Sequence, residues 1–144
     1  MNMSAARYYK EYSHNEISTS SQGKLILMMY DGAIKNVKLA LKCLEKKDIS
    51  GRGMHIRKSH DIINELSLAL DPKKGADIAQ KLERLYQFML SQLILATIKA
   101  EAKPLESVLN ILYTLQEGWK QVVSSTHSDG TPKSDPSKSI TARG

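Results

Sequence analysis

The stretch SSQGKLILMMYDGAI (residues 20–34) decides the fold of this chain. Its serines can cap a helix, and a six-residue apolar run from Leu25 follows them. A strand over residues 25–30 with a hairpin turn at 31–32 does not fit, because nothing after Gly32 alternates with a period of two. The following apolar residues keep a helical spacing instead: Ile26, Tyr30, Ala33, Val37, Ala40, Leu41 and Leu44. The stretch therefore predicts a central helix over residues 22–47, buried at its start and half exposed at its end.

Three further amphipathic segments follow, at residues 52–70, 76–100 and 104–123. They are separated by the turn DISG, by Pro72 and by Pro104, which is suited to the first position of a helix. The third segment has a core stripe of Ile78, Leu82, Leu85, Met89, Leu93 and Ala96, beside a second stripe of Tyr86, Leu90 and Ile94. The predicted fold is all-α: an antiparallel four-helix bundle over residues 20–123, with an extended N-terminal arm (1–19) and a disordered C-terminal tail (124–144).

Length and composition limit the class of protein. A chain of 144 residues with one cysteine, Cys43, predicts a single domain without a disulfide framework. The first twenty residues do not resemble a secretory signal, and no apolar run reaches the length of a membrane span. We therefore expect a cytoplasmic protein without membrane insertion. Its net charge of +6 leaves an acidic partner open.

The sequence offers no set of residues for catalysis. A di-iron bundle needs Glu-x-x-His pairs on two helices, whereas here the pattern occurs once, at Glu11 and His14. His55 and His60 flank no other ligands and are interpreted as exposed side chains. Lys46 and Lys47 could lower the pKa of the Cys43 thiol, but no basic partner accompanies it. We expect no catalytic residues, no metal, no cofactor and no enzyme activity.

A basic stripe raises the possibility of nucleic-acid binding. Eight basic residues lie between Lys35 and Lys58, against Glu45 and Asp48. Phosphates could bind such a stripe, but it contains no aromatic residue on which bases could stack. A small basic helical nucleic-acid-binding protein is therefore the alternative interpretation, and binding of nucleic acid is not the expectation.

The third and fourth segments carry more apolar surface than one packing face requires. On the fourth, Leu109, Tyr113, Ile111 and Val122 flank the inward line of Leu105, Val108, Leu112, Leu115 and Trp119. A crowded core or a homodimer face would explain this pattern. The functional interpretation is a groove for an amphipathic helix of a partner, covered by the tyrosine-bearing arm when the partner is absent.

Several blocks of the sequence resemble one protein family. The blocks are Tyr12-x-x-Asn15-x-Ile17-x-Thr19, LILMMYDG (25–32), DIIxEL (61–66), LYxFM (85–89) and Leu115-x-x-x-Trp119. In their order and spacing, over about residues 8–123, they are similar to the flagellin export chaperone family, FliS. Gln22 stands where that family usually has proline, Met29 replaces a common leucine, and Thr97 stands where asparagine often occurs.

The resemblance implies a cytoplasmic chaperone that binds the disordered C-terminal segment of flagellin and prevents premature polymerisation. It also implies delivery to the flagellar type III export apparatus, with the export gate as a second partner. Together with the surplus stripes, this leads to a predicted groove and a predicted cover. The groove consists of Leu66, Tyr86, Leu90, Ile94, Leu109 and Tyr113, and the arm covers it with Tyr12 and Ile17.

Overall fold

A computed structural model describes residues 19–71 and 76–130 of the chain. Within these residues the chain forms four helices and no strand: α1 (Thr19–Glu45), α2 (Ile49–Leu68), α3 (Ala76–Lys99) and α4 (Ala102–Gly130). Helices α1 and α3 each pack against both α2 and α4. Since the connections are short, consecutive helices run antiparallel. The predicted all-α antiparallel bundle is confirmed.

The helix ends differ from the predicted ones. Helix α1 begins at Thr19, so Ser20 and Ser21 lie inside its first turn and not before it. Helix α4 begins at Ala102, which places Pro104 inside the first turn. The same helix continues to Gly130, seven residues beyond the end predicted from the sequence. Extending an existing helix costs far less than nucleating one, so these residues need no apolar face of their own. The arm up to residue 18 and the tail from residue 131 lie outside the described residues.

The described part of the chain contains no helix that is long and apolar enough to cross a membrane.

The core is one cluster to which all four helices contribute. On α3 its position differs from the predicted stripe, because Ile78 is 64 % exposed while Tyr86 and Leu90 are buried. The buried residues of this helix are Ala79, Tyr86, Met89, Leu90, Leu93 and Ala96. Met89, Leu93 and Ala96 of the predicted stripe are buried as expected, and α3 is rotated so that Tyr86 and Leu90 of the second stripe also face inward while Ile94 does not.

Side-chain hydrogen bonds link α1 to each of the other three helices. The hydroxyl groups of Tyr30 and Tyr86 lie 2.6 Å apart, linking α1 to α3 across the bundle. Burial raises the pKa of both phenols, so both are protonated at neutral pH and one donates to the other. The Ser59 hydroxyl donates to the Ala33 carbonyl at 2.8 Å, and the Gln116 amide donates to the Asp31 carboxylate at 2.5 Å. The first two bonds satisfy buried polar groups that would otherwise be costly, whereas Asp31 is exposed.

In the connection between α1 and α2, the C-terminal capping motif of α1 is followed directly by the N-cap residue of α2. The Asp48 N–H donates to the Cys43 carbonyl and the Lys47 N–H to the Leu44 carbonyl, which is the Schellman pattern. Lys47 accordingly has a φ of 61°. The Asp48 side chain then accepts a hydrogen bond from the Gly51 N–H at 3.0 Å and caps α2. This turn makes α1 and α2 antiparallel neighbours.

Two alanines at helix ends provide a matched stability test. Ala100 follows α3 with a φ of 53°, whereas Ala69 follows α2 with a φ of −81°. A left-handed conformation costs a side-chain-bearing residue about 1–2 kcal/mol, and glycine does not incur this cost. We expect Ala100→Gly to raise the free energy of unfolding by up to about 1 kcal/mol, after the greater entropy of glycine in the unfolded chain is subtracted.

Ala69→Gly should lower the free energy of unfolding, because glycine adds entropy to the unfolded chain without relieving strain there. Urea titrations of both variants measure the difference. Equal effects of the two substitutions would contradict the assigned backbone conformations.

Candidate functional site

Three of the six predicted groove residues are part of the core. Leu66, Tyr86 and Leu90 are 3 %, 1 % and 7 % exposed, respectively. Their assignment to an accessible groove is therefore wrong for the described structure, because the rotation of α3 turns Tyr86 and Leu90 toward α1 and the core cluster. Ile94 and Tyr113 are exposed, and Leu109 is partly buried against the core.

The remaining three residues lie on two different sides of the bundle. Glu83 accepts a hydrogen bond from Ser67 of α2, and Ile94 follows it by about three helical turns, so Ile94 lies on the α2 side of α3. The bond between Gln116 and Asp31 marks the side of α4 that faces α1. Leu109 and Tyr113 share that side, since they precede Gln116 by about two turns and one turn. The structure therefore does not form the single groove predicted from the sequence.

Ile94 belongs to an apolar surface at one end of the bundle. Ile49 at the start of α2 is 71 % exposed, and Ile98 near the end of α3 is 73 % exposed. These helix ends lie together, because an Arg52 guanidinium nitrogen is 3.5 Å from the Thr97 carbonyl oxygen. We call Ile49, Ile94 and Ile98 the isoleucine surface. The sequence contains a signal for this surface, because Leu90, Ile94 and Ile98 follow one another at intervals of four residues.

More apolar side chains are exposed elsewhere on α3 and α4. Ile78, Phe88 and Val122 are between 46 % and 64 % exposed. By helical phase Phe88 lies on the side of α3 away from Glu83, toward α4. Single exposed apolar residues are ordinary on any protein surface, but several on two adjacent helices favour an interaction surface.

A cleft of about 630 Å³ opens between α1 and α4. Its lining combines apolar and charged side chains: Asp31, Ile34, Lys35, Lys38, Leu39, Leu41, Lys42, Glu45 and Leu109. Leu109 contributes to it from α4, and the other lining residues belong to α1. We call this feature the α1–α4 cleft.

The titratable side chains singled out from the sequence differ from expectation. His55 is half-buried, and its Nδ1 lies 2.9 Å from the Asn36 side-chain oxygen, so it is not simply a solvated side chain. Burial, followed by the nearby charge of Lys58, lowers its pKa. Partial burial and the Asp48 carboxylate raise the pKa of the Cys43 thiol, opposite to the effect expected from Lys46. Among the described residues, no three His, Cys, Asp or Glu side chains are grouped to hold a metal ion.

The fold and surface define a class: a helical bundle with exposed apolar side chains suited to binding another polypeptide. The profile of the family described as "Flagellar protein FliS" matches residues 4–126, so the chain belongs to the FliS family. This family is not enzymatic, and neither is the chain.

Relatives agree with this assignment, and a solved structure shares the fold. The chain is 33 % identical to "Flagellar secretion chaperone FliS" of Salmonella typhimurium, covering 83 % of this chain and 90 % of the relative. It is 28 % identical to the protein of the same name from Bacillus subtilis, covering 84 % and 90 %. A crystal structure of a bacterial flagellar chaperone has the same fold, with a TM-score of 0.69 at 22 % identity over 83 % of this chain and 98 % of that one.

The exposure of neighbouring α3 residues leads to a stability prediction. Leu90→Asp places a carboxylate in the core, where desolvation of the charge and loss of packing cost several kcal/mol. We expect this variant to lose cooperative thermal unfolding. Ile94→Asp, one turn further on and 52 % exposed, should change the free energy of unfolding by less than about 1 kcal/mol. Circular dichroism melts compare the two, and a stable Leu90→Asp variant would show that Leu90 lies at the surface.

Proposed function

We propose that this chain is a flagellar secretion chaperone that holds the disordered C-terminal segment of flagellin in the cytoplasm. Holding the segment prevents premature polymerisation and supports delivery to the flagellar type III export apparatus, where the export gate is a second partner. The names of the relatives support the chaperone role. The exposed apolar side chains of α3 and α4 support the binding of a polypeptide client.

The isoleucine surface is the observation that carries this proposal. Ile98 extends from a helix whose opposite face is already in the core, so its exposure is not required for folding. Burial of one such side chain by a client contributes about 1.5–3 kcal/mol. A disordered client must also offset the entropy lost on ordering. Several such contacts are therefore needed, and the client segment would extend from the isoleucine surface toward the α3–α4 side at Phe88.

The residues proposed to contact the client therefore differ from those of the predicted groove. Ile94 remains a proposed client contact, together with Ile98 and Ile49. Leu109 and Tyr113 lie toward α1 and are not part of the same surface. The proposed cover by Tyr12 and Ile17 falls on residues outside those described, and it stays a prediction.

A charge placed at Ile98 tests the proposal. Ile98→Asp removes an apolar contact and adds a carboxylate that the client would have to desolvate. We expect the affinity for a labelled flagellin C-terminal peptide to fall roughly 10- to 100-fold, the equivalent of about 1.4–2.8 kcal/mol. Fluorescence anisotropy measures the affinity at 0.15 M and 0.5 M salt. Binding should persist at the higher salt concentration, because an apolar contact is not screened by ions.

Lys24→Glu is the control. Lys24 is exposed on α1, which is not a neighbour of α3 around the bundle, and the substitution adds negative charge without removing an apolar side chain. Its affinity for the peptide should stay within about twofold of the original protein. Unchanged peptide binding by a folded Ile98→Asp variant would refute the isoleucine surface as the client site. A concentration-dependent dimer that Ile98→Asp dissociates would assign the surface to self-association instead.

A further inference from the structure

The α1–α4 cleft has a cationic edge that the described part of the chain does not neutralise. Lys35, Lys38 and Lys42 are exposed and line the cleft from α1. Within residues 19–71 and 76–130, none of these three lysines forms an ion pair, whereas Lys81 and Asp77 on α3 lie 3.3 Å apart. The three ammonium groups are therefore available to carboxylates of another molecule.

The lining of the cleft between these lysines is apolar. Ile34, Leu41 and Leu109 contribute it, and Ile34 and Leu109 also belong to the packing around the core. A volume of about 630 Å³ is within the usual range of ligand clefts, about 300–1,000 Å³. Phosphate groups alone would have no use for an apolar lining, whereas the apolar face of a peptide helix would be desolvated by it.

The positions of the charged residues along the cleft also limit the length of the acidic segment that a partner could place there. Asp31 precedes the lysines and Glu45 follows them, and both line the cleft. Lys35 and Lys42 are seven residues apart, which corresponds to two helical turns or about 10 Å. Acidic residues on a partner would be attracted over this distance and repelled beyond either end.

We propose that the α1–α4 cleft docks a segment of a partner protein that folds as an amphipathic helix. The helix places apolar side chains against Leu41 and Leu109, and it carries two or three carboxylates within two turns on the edge that meets Lys35, Lys38 and Lys42. This surface lies on the α1 side of the bundle, whereas Ile94 and Ile98 lie on α3, which is not a neighbour of α1 around the bundle. It therefore provides a second docking site, separate from a client bound at Ile94 and Ile98.

A designed peptide tests the cleft with the full chain. The probe is a labelled 18-residue amphipathic peptide with leucines on one face and three glutamates within two turns at its edge. A second peptide has glutamine in place of each glutamate. Anisotropy titrations at 0.15 M salt should show the glutamate peptide binding at least tenfold more tightly. Replacing its leucines with serine should weaken binding by a similar factor, because the apolar lining then has no partner.

Charge reversals locate the bound peptide. Lys38→Glu should weaken binding of the glutamate peptide at least tenfold. Lys24→Glu makes the same change at an exposed residue of α1 that does not line the cleft, and it should alter binding by less than about twofold. Both residues are at the surface, so both variants should remain folded, as circular dichroism would confirm. Ile98→Asp should leave this peptide's affinity unchanged.

Three results would overturn the proposal. Equal losses from Lys38→Glu and Lys24→Glu would indicate only diffuse attraction to a basic protein. Loss of peptide binding in Ile98→Asp would place the peptide on the isoleucine surface. A duplex oligonucleotide that binds with the same dependence on Lys38, while the glutamate and glutamine peptides bind equally, would identify a phosphate-binding surface instead.

Discussion

The hydrogen bond between Tyr30 and Tyr86 determines which residues of this bundle remain at its surface. The two hydroxyl groups lie 2.6 Å apart inside the core, and this buried hydrogen bond would be lost if either side chain turned away. The bond connects α1 and α3, which are not neighbours around the bundle. Because Tyr86 must face inward, Leu90 and Leu93 face inward as well, and Ile94 and Ile98 remain outside. The isoleucine surface is thus a consequence of how the core is arranged.

The fold could be predicted from helical periodicity, but the rotation of α3 could not. Apolar residues cover about half the circumference of this helix, so several rotations would bury a similar area. The sequence pattern favoured a line through Ile78 and Leu85 and left Tyr86 to the side. The partner of Tyr86 is 56 residues earlier in the chain, and periodicity within one helix carries no information about such a contact. The end of α4 was missed for a related reason, since helix propagation requires no apolar signal.

For the candidate surfaces, too, the sequence identifies individual apolar residues but not which of them lie together. Ile94 and Tyr113 could be singled out because each adds an apolar residue beside a core stripe. That they lie on different sides of the bundle depends on which helices are neighbours, which the bond from Gln116 to Asp31 reveals. In the sequence, the lysines of α1 are recognisable only as part of a basic stripe. Their position beside Leu109 becomes apparent only when α4 packs against α1.

Photo-cross-linking of a complex with the flagellin C-terminal segment tests the central claim most directly. A benzophenone side chain would be introduced separately at Ile98, at Phe88 and at Lys24, an exposed residue of α1, which is not a neighbour of α3 around the bundle. The account predicts cross-links to the segment from the Ile98 and Phe88 positions and little or none from the Lys24 position. Formation of the complex with no cross-link from Ile98 or Phe88, or with equal cross-linking from all three positions, would contradict it.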